Sequence, residues 1–370
     1  MKHRTRTNGR RLAVILLGAV PALLASTAHA TVVVPTANAS GVHETRPLKA
    51  IYGPLTMPDG SSGFPVYHRL GVNVLERQLS WSTVASSRPR SPTDPGDPAY
   101  RWPADLDRAM REAERYHIAI ALLVEDFPTW SNGGRDPTWV PANPRDYADF
   151  VQAASRRYPG VHLWLILNEV NSTRNFNPLP PHSKVGPERY ATLLDLAYGA
   201  LKAVNPANTV IGGMTYSTGT IGTYEFIRRM RLANGRPPRM DYYGHNPYSI
   251  RYPNLAEKPI SPLVCDINDI DTLEHSLAGV YPGHTPKLWL SEFGISNAAN
   301  SSFDYYVSRP VQARWVTAAF KLVNSVPYVA AMGWYELLDE PNSSSGRLSE
   351  GLMSASGVPK PAFYAYAAAP

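Results

Sequence analysis

The sequence predicts a single (β/α)8 barrel, an α/β fold with long loops at one face, and three observations predict it. Short apolar runs alternate with longer stretches of helical period from about Leu48 onward, the rhythm of βα units around a parallel sheet. Eight such pairs can be counted without a linker between them, enough to close a barrel. The long loops, at 81–102, 125–143, 171–186, 246–266 and 337–358, follow strands rather than helices, so in a barrel all of them meet at the C-terminal rim.

The predicted strands are Leu48–Tyr52, 72–79, 118–124, 161–167, 209–214, 240–245, 287–290 and Val329–Trp334. Four helices between them carry a clear stripe. Leu106, Ala109, Met110 and Ala113 recur at helical spacing, as do Tyr147, Phe150, Val151, Ala154 and Tyr158. Tyr190, Leu193, Leu194, Ala197 and Leu201 form the third stripe, and Val311, Trp315, Ala318, Leu322 and Val326 the fourth. Pro103, Pro144, Pro187 and Pro310 stand at the starts of these helices, where a missing N–H leaves no hydrogen bond unmade. Residues 362–368 can close the ring.

Composition narrows the class. Of 370 residues, 44% are hydrophobic and 18% charged, which excludes a disordered or collagen-like chain. One cysteine, Cys265, excludes an intramolecular disulfide and a zinc site built on several thiolates. The net charge of +6 sits in the leader: Lys2, Arg4, Arg6, Arg10 and Arg11 face no acid within residues 1–30, and the rest of the chain carries only +1. Nucleic-acid binding is therefore disfavoured. The basic start, the apolar run over 12–25 and the Ala28-His29-Ala30 ending fit a secretory signal peptide over 1–30. The run is too short for a membrane span, so the mature protein is expected to be secreted, extracellular or periplasmic, and free of the membrane. Residues 31–47 then read as a lead-in segment and 48–370 as the barrel domain.

Two strands end on glutamate. The run 163–167 stops at Asn168-Glu169, and Leu288-Trp289-Leu290 stops at Ser291-Glu292. These are the fourth and seventh strands of the count, on opposite sides of the mouth, so two carboxyls can face each other across a cleft. Hydrolysis of a glycosidic bond needs such a pair, one to protonate the leaving oxygen and one to attack the anomeric carbon or activate water. Rim aromatics such as Trp130 suit the apolar faces of sugar rings, with loop packing as the alternative.

Taken with Arg77 near the end of the second strand, His245 and Tyr248 after the sixth and Trp334 at the end of the eighth, these glutamates resemble the pattern of clan A retaining glycoside hydrolases, nearest to families 5 and 39. The similarity runs over about Leu48 to Tyr366 and is carried most specifically by Leu165-Ile166-Leu167-Asn168-Glu169 and Trp289-Leu290-Ser291-Glu292-Phe293-Gly294. It implies double displacement with Glu169 as acid and then base, and Glu292 as a nucleophile held by Arg77 and a tyrosine, either Tyr248 or Tyr243. Asn168 would bind the sugar 2-hydroxyl. His245 would orient the site or bind sugar, unless it is a satisfied strand-end histidine, and Trp334 would form the floor under the ring, unless it packs in the core. Glu125-Asp126 stands where family 5 usually has a histidine, and those two acids could meet substrate hydroxyls or Arg135.

The expected substrate is an oligosaccharide or polysaccharide, handled by a monomer without cofactor or metal. Two rival readings remain: a catalytically inactive carbohydrate-binding barrel, and a metal-dependent hydrolase using Asp126, Glu169, His245 and Glu292 as ligands.

Overall fold

The computed structural model describes residues 46–300, 305–341 and 348–370; the expected signal peptide and most of the lead-in segment lie outside them. The elements follow in the order β1 (Leu48–Tyr52), α1 (Phe64–Arg69), β2 (Val74–Ser80), α2 (Trp81–Val84), α3 (Ala104–Tyr116), β3 (Ala119–Glu125), α4 (Thr129–Asn132) and α5 (Arg145–Arg157). They continue with β4 (Leu163–Ile166), α6 (Val185–Val204), β5 (Thr209–Tyr216), α7 (Thr223–Arg229), β6 (Tyr242–Asn246), α8 (Ile270–Val280), β7 (Lys287–Phe293), α9 (Arg309–Val323), β8 (Val329–Trp334) and α10 (Pro361–Ala368). The eight strands pair in parallel in chain order, and β8 returns to β1, closing the barrel. Among the described residues no helix is long and apolar enough to cross a membrane.

Two apolar layers hold the barrel, and the strand period of two sorts residues between them. Ala50, Val74, Ala121, Leu123, Leu163, Leu165, Ile211, Met214, Trp289 and Ala331 fill the interior. Their neighbours Ile51, Leu75, Ile120, Leu122, Trp164, Ile166, Leu288, Leu290 and Met332 point outward and pack under the helices. The predicted stripes of α3, α5 and α6 are buried there, Leu106, Phe150, Val151, Leu194 and Leu201 among them. Several strands begin one or two residues later than their apolar runs, because Val72, Ile118, Val161 and Met240 are buried without yet joining the ladder.

Register slips at two places alter what reaches the mouth. On β5, Gly213 and Met214 together oppose one residue of β6, between the pairs Gly212–Tyr243 and Thr215–His245. Gly213 has φ +85°, and a Cβ there would stand 2.4 Å from the Tyr243 ring, so both backbone and space require glycine. On β7 the register shifts between Leu290 and Phe293. Ser291 and Glu292 therefore both turn to the inside, while Phe293 packs outward against Trp315 and Trp334.

The same alternation corrects two expectations. Trp334 follows Met332 on the outer face; it is fully buried, its ring edge-on to Phe293 at 5.9 Å and its Nε1 donating to the Glu350 carbonyl at 2.9 Å. It is a core residue and cannot lie under a sugar. Arg77 shares the outer face of β2 with Leu75, donating to the Gly53 carbonyl at 2.9 Å and approaching Asp105 at 3.9 Å, while Glu76 points inward. Arg77 therefore does not hold Glu292. If Trp334 serves packing, Trp334→Ala should lower stability by about 3–5 kcal/mol, read by chemical denaturation, as for other large buried aromatics.

Candidate active site

At the end of β4 the chain makes a sharp departure from strand geometry. Leu167 and Glu169 have φ of +63° and +44°, in the left-handed region that side chains other than glycine avoid, and they flank Asn168. The backbone N–H groups of Leu167 and Val170 bond to Val124 and Met214 on the neighbouring strands at 3.1 Å, which fixes the bend. Strain of this kind, of order 1–3 kcal/mol per residue, persists where surrounding structure over-determines it, and here it aims both polar side chains into the mouth.

The two glutamates meet over a pair of asparagines. Asn168 Nδ2 donates to Glu292 Oε1 at 3.3 Å, and Asn168 Oδ1 accepts from Asn246 Nδ2 at 3.2 Å. That same Asn246 nitrogen lies 3.5 Å from Glu169 Oε1, so a chain of two amides connects the carboxyls. Tyr248 donates to Glu292 Oε2 at 3.2 Å, and Asn175 donates to Glu169 Oε2 at 3.0 Å. Glu76 sits deeper, accepting from Trp289 Nε1 at 2.8 Å and Ser291 Oγ at 2.5 Å. Glu125, at the end of β3, faces inward beside Glu169.

Burial of so many acids in one place shows in their protonation. Desolvation is the main cause throughout, raising Glu76 to about 7 and Glu125 to about 8; Glu125 is also pushed by the charges of Asp126 and Glu169. Glu169 is raised by burial against the bonds from Asn246 and Asn175 and the charge of Arg174. Glu292 is raised by burial and then by the charges of Glu169, Glu76 and Glu125, with the Tyr248 hydroxyl opposing. These four cannot all ionise together, so the mouth retains protons at neutral pH.

Sequence reading found five of the residues that meet here: Glu169, Glu292, Asn168, Tyr248 and Glu125. Tyr243, the other tyrosine considered, is buried on the outer face and bonds Thr215 Oγ1 at 2.9 Å. His245 is also turned outward and fully buried, Nε2 against the Cys265 carbonyl at 2.8 Å and Nδ1 against Thr215 Oγ1 at 2.9 Å. Burial lowers its pKa to about 4, so it is a neutral, satisfied histidine that meets neither sugar nor metal. Its neighbour Asn246 takes the inward position. Trp130 packs away from the carboxyls: Nε1 donates to the Ala85 carbonyl at 2.7 Å, Arg88 covers its ring at 4.5 Å, and the Trp81 ring stands perpendicular to it at 5.4 Å. Arg135, a possible partner of Glu125 and Asp126, stacks instead over Trp139 at 4.1 Å.

Sequence reading missed Asn246, Glu76, Asn175 and Tyr335. Counting inward positions from Trp289 and Val74 would have found Glu76, and the same alternation gives Asn246 beside His245. Tyr335, next to Trp334, comes near the carboxyls instead: its ring lies 5.6 Å from that of Tyr52, and burial and the charges of Glu336 and Glu292 raise its phenol. Among the described residues no group of three or more His, Cys, Asp or Glu side chains could hold a metal ion, and the metal reading loses His245 besides. A cavity of about 690 Å³ lies away from this chemistry, against Trp139 and α6.

No protein-family model matches the chain, and no curated protein does. Solved structures do. A family 39 glycoside hydrolase from the gut symbiont Bacteroides cellulosilyticus WH2 superposes with TM-score 0.62 at 17% identity, over 88% of this chain and 63% of its own. A glucosidase from Croceicoccus marinus gives 0.62 at 14%, over 87% and 65%, and a monomeric beta-xylosidase from Caulobacter crescentus CB15 gives 0.59 at 18%, over 87% and 67%. At such identities the likeness establishes the shared barrel, and this chain spans about 63% of the first of these structures and 65% of the second.

The acids predict how stability follows pH. A carboxyl raised on folding contributes most below its unfolded value and loses that contribution as pH rises through its folded value. Glu76 and Glu336, raised to about 7, and Glu125 and Glu350, raised to about 8, act this way. His245, lowered from 6.5 to about 4, acts oppositely, weakening the fold as pH falls across that interval. At equal slopes of about 1.4 kcal/mol per pH unit each, four carboxyls outweigh one histidine. The melting temperature should therefore be higher at about pH 5 than at about pH 8. Glu76→Gln should flatten the profile between 4.5 and about 7.

Proposed function

We propose that the protein is a retaining glycoside hydrolase that cleaves O-glycosidic bonds of an oligosaccharide or polysaccharide by double displacement. One observation carries this reading: carboxyls from the ends of β4 and β7, across a closed barrel, share one hydrogen-bonded pair of asparagines, and the charge of Glu169 acts on Glu292. The glycosidases among the structures with the same barrel support it. The basic, apolar leader supports secretion, and no cofactor is required by the chemistry.

In this scheme Glu169 gives its proton to the leaving oxygen while the Glu292 carboxylate attacks the anomeric carbon, forming a glycosyl ester. Glu76 and Glu125 matter because they hold protons near neutrality: with those two neutral, the charges that oppose Glu292 ionisation fall away, and the Tyr248 and Asn168 donors hold it as the anion. Esterification removes the Glu292 charge. Glu169 then becomes more acidic and can take a proton from the water that releases the sugar. In this reading Asn168, which donates to Glu292, binds the 2-hydroxyl, and Tyr335 rather than Trp334 forms the ring floor.

A panel of aryl glycosides and polysaccharides should reveal turnover, with NMR showing the β or α configuration of the substrate retained in the first product. Glu169→Gln should lower turnover by about 10²–10⁴-fold on substrates that need protonation. Unchanged turnover in Glu169→Gln would overturn the assignment, and undetectable turnover in the wild type would leave an inactive sugar-binding barrel. Tyr248→Phe removes a donor that favours the Glu292 anion, so the acid limb of the pH–rate profile should move to higher pH.

A further inference from the structure

The cavity of about 690 Å³ is walled by the loops that follow β3 and β4 and by the first turns of α6, and its size falls within the ~300–1,000 Å³ of small-molecule clefts. A short piece of chain joins it to the acid. Asn175, which donates to Glu169 Oε2, stands three residues before the lining residue Pro178, and three residues of backbone span at most about 11 Å. Between them Asn177 is clamped to the β3 loop. Its N–H donates to the Thr138 carbonyl at 2.8 Å, its carbonyl accepts from the Val140 N–H at 2.9 Å, and its Nδ2 donates to Thr138 Oγ1 at 2.9 Å. The cavity and Glu169 thus share one pinned loop.

Its charge is basic and unopposed. Arg135 and Arg189 line it, no aspartate or glutamate does, and both arginines are exposed to solvent. Among the described residues neither guanidinium has an ion pair or a hydrogen bond, and Arg135 only covers the Trp139 ring at 4.1 Å. The acids next to them in sequence are taken. Asp136 accepts from the Thr138 N–H at 3.0 Å, from the Thr138 hydroxyl and from the Trp139 side chain, and Glu188 pairs with Lys184 at 3.2 Å. The other polar side chains of the wall are engaged as well: Asn132 Nδ2 donates to the Asp136 and Trp139 carbonyls, and Thr192 Oγ1 to the Glu188 carbonyl. Two guanidiniums are therefore the donors left to a ligand, in a chain whose residues beyond the leader carry a net charge of only +1. Much of the remaining wall is apolar, Pro141, Pro178 and Leu193 among it.

We propose that this cavity binds an acidic saccharide, a sugar chain whose carboxylate or sulfate groups meet Arg135 and Arg189 while its ring C–H faces lie against the prolines and Leu193. A guanidinium fork matches two oxygens of either anion, and such charge-assisted bonds are about twice as strong as the neutral ones a plain sugar would offer. A bare inorganic anion would leave the apolar wall uncovered. A nucleic acid would want stacking platforms, and the one aromatic ring here, Trp139, is already covered by Arg135. That the anion is carried by a sugar rests on the hydrolase reading above; that the ligand is an anion rests on the arginines alone. The cavity then holds an acidic segment of the chain whose scissile bond lies in the mouth.

The test is titration calorimetry at low salt on the full chain carrying Glu169→Gln, so that no probe is hydrolysed. The probes are a tetragalacturonate, a heparin tetrasaccharide, cellotetraose and inorganic phosphate. At least one acidic tetrasaccharide should bind about tenfold or more tighter than cellotetraose and phosphate, and the tighter of the two identifies carboxylate or sulfate as the anion recognised. Arg135→Ala and Arg189→Ala should each weaken that binding by about tenfold, the worth of one hydrogen bond to a charged group, and high salt should weaken it too. Arg189→Lys keeps the charge and loses the fork, so it should fall between. Both arginines are exposed, and an unchanged melting temperature checks that the variants fold. Cellotetraose or phosphate binding as tightly, no binding of either acidic probe, or undiminished binding when both arginines are alanine overturns the site. Arginine-dependent binding beside a wild type that turns over no glycoside keeps the cavity's ligand and overturns the hydrolase reading instead. Turnover without such binding overturns the cavity alone.

Discussion

The strict alternation of side chains along strands that close on themselves governs everything at the mouth of this barrel. A residue at a strand end has two destinations, the central cleft or the layer under the helices, and adjacent residues take opposite ones. Glu76 and Arg77, Asn246 and His245, Tyr335 and Trp334 are three such pairs, and in each the inward member joins the carboxyl cluster while the outward member packs or caps. The exceptions are local breaks in register. The slip on β7 lets Ser291 and Glu292 face inward in succession, so one strand supplies both the group that ties down Glu76 and the group that meets Asn168.

Because Arg77 faces the helices, Glu292 is held by neutral donors, a phenol and a carboxamide. Hydrogen bonds from neutral groups favour a carboxylate without cancelling its charge, whereas a guanidinium in contact would do both. Acidity in such a site is then set by which neighbours keep their protons. Glu76 and Glu125, buried and raised to about 7 and about 8, sit below and beside the pair and decide how much like charge Glu292 and Glu169 must bear. The inward carboxyl of β2 thus affects ionisation at the top of the barrel without reaching the cleft itself.

Much of this was legible in the sequence, for a definite reason. Apolar runs and helical stripes report burial, and burial is what makes the eight strands and their helices, so the barrel could be read with strand ends off by one or two residues. Glu169 and Glu292 were legible because each ends an apolar run. Arg77, His245 and Trp334 failed because proximity to a strand end does not give the side on which a residue emerges; that depends on register, and the slips on β5 and β7 leave little trace in residue type beyond Gly212-Gly213. Trp130 failed differently. Trp81, Trp102 and Trp130 make a small core with Phe150 over α5, with Trp102 stacked on Phe150 at 5.9 Å and Trp81 at 5.5 Å, so large aromatic residues in loops here stabilise the loops themselves.

That aromatic core also makes the mouth asymmetric. On the β2–β3 side, rings pack the loops together, and Glu125 turns its carboxyl toward the cleft. On the β6–β7 side, Ile250, Ile260 and Tyr305 stand exposed around a cavity of about 290 Å³ that Tyr248 and Glu350 also line, while Arg251 ties Asp266 and Asp269 together. The carboxyl pair meets this second side through Tyr248, which lines the cavity and donates to Glu292. The mouth of this barrel is thus packed with aromatic rings on one side and edged by exposed isoleucines on the other.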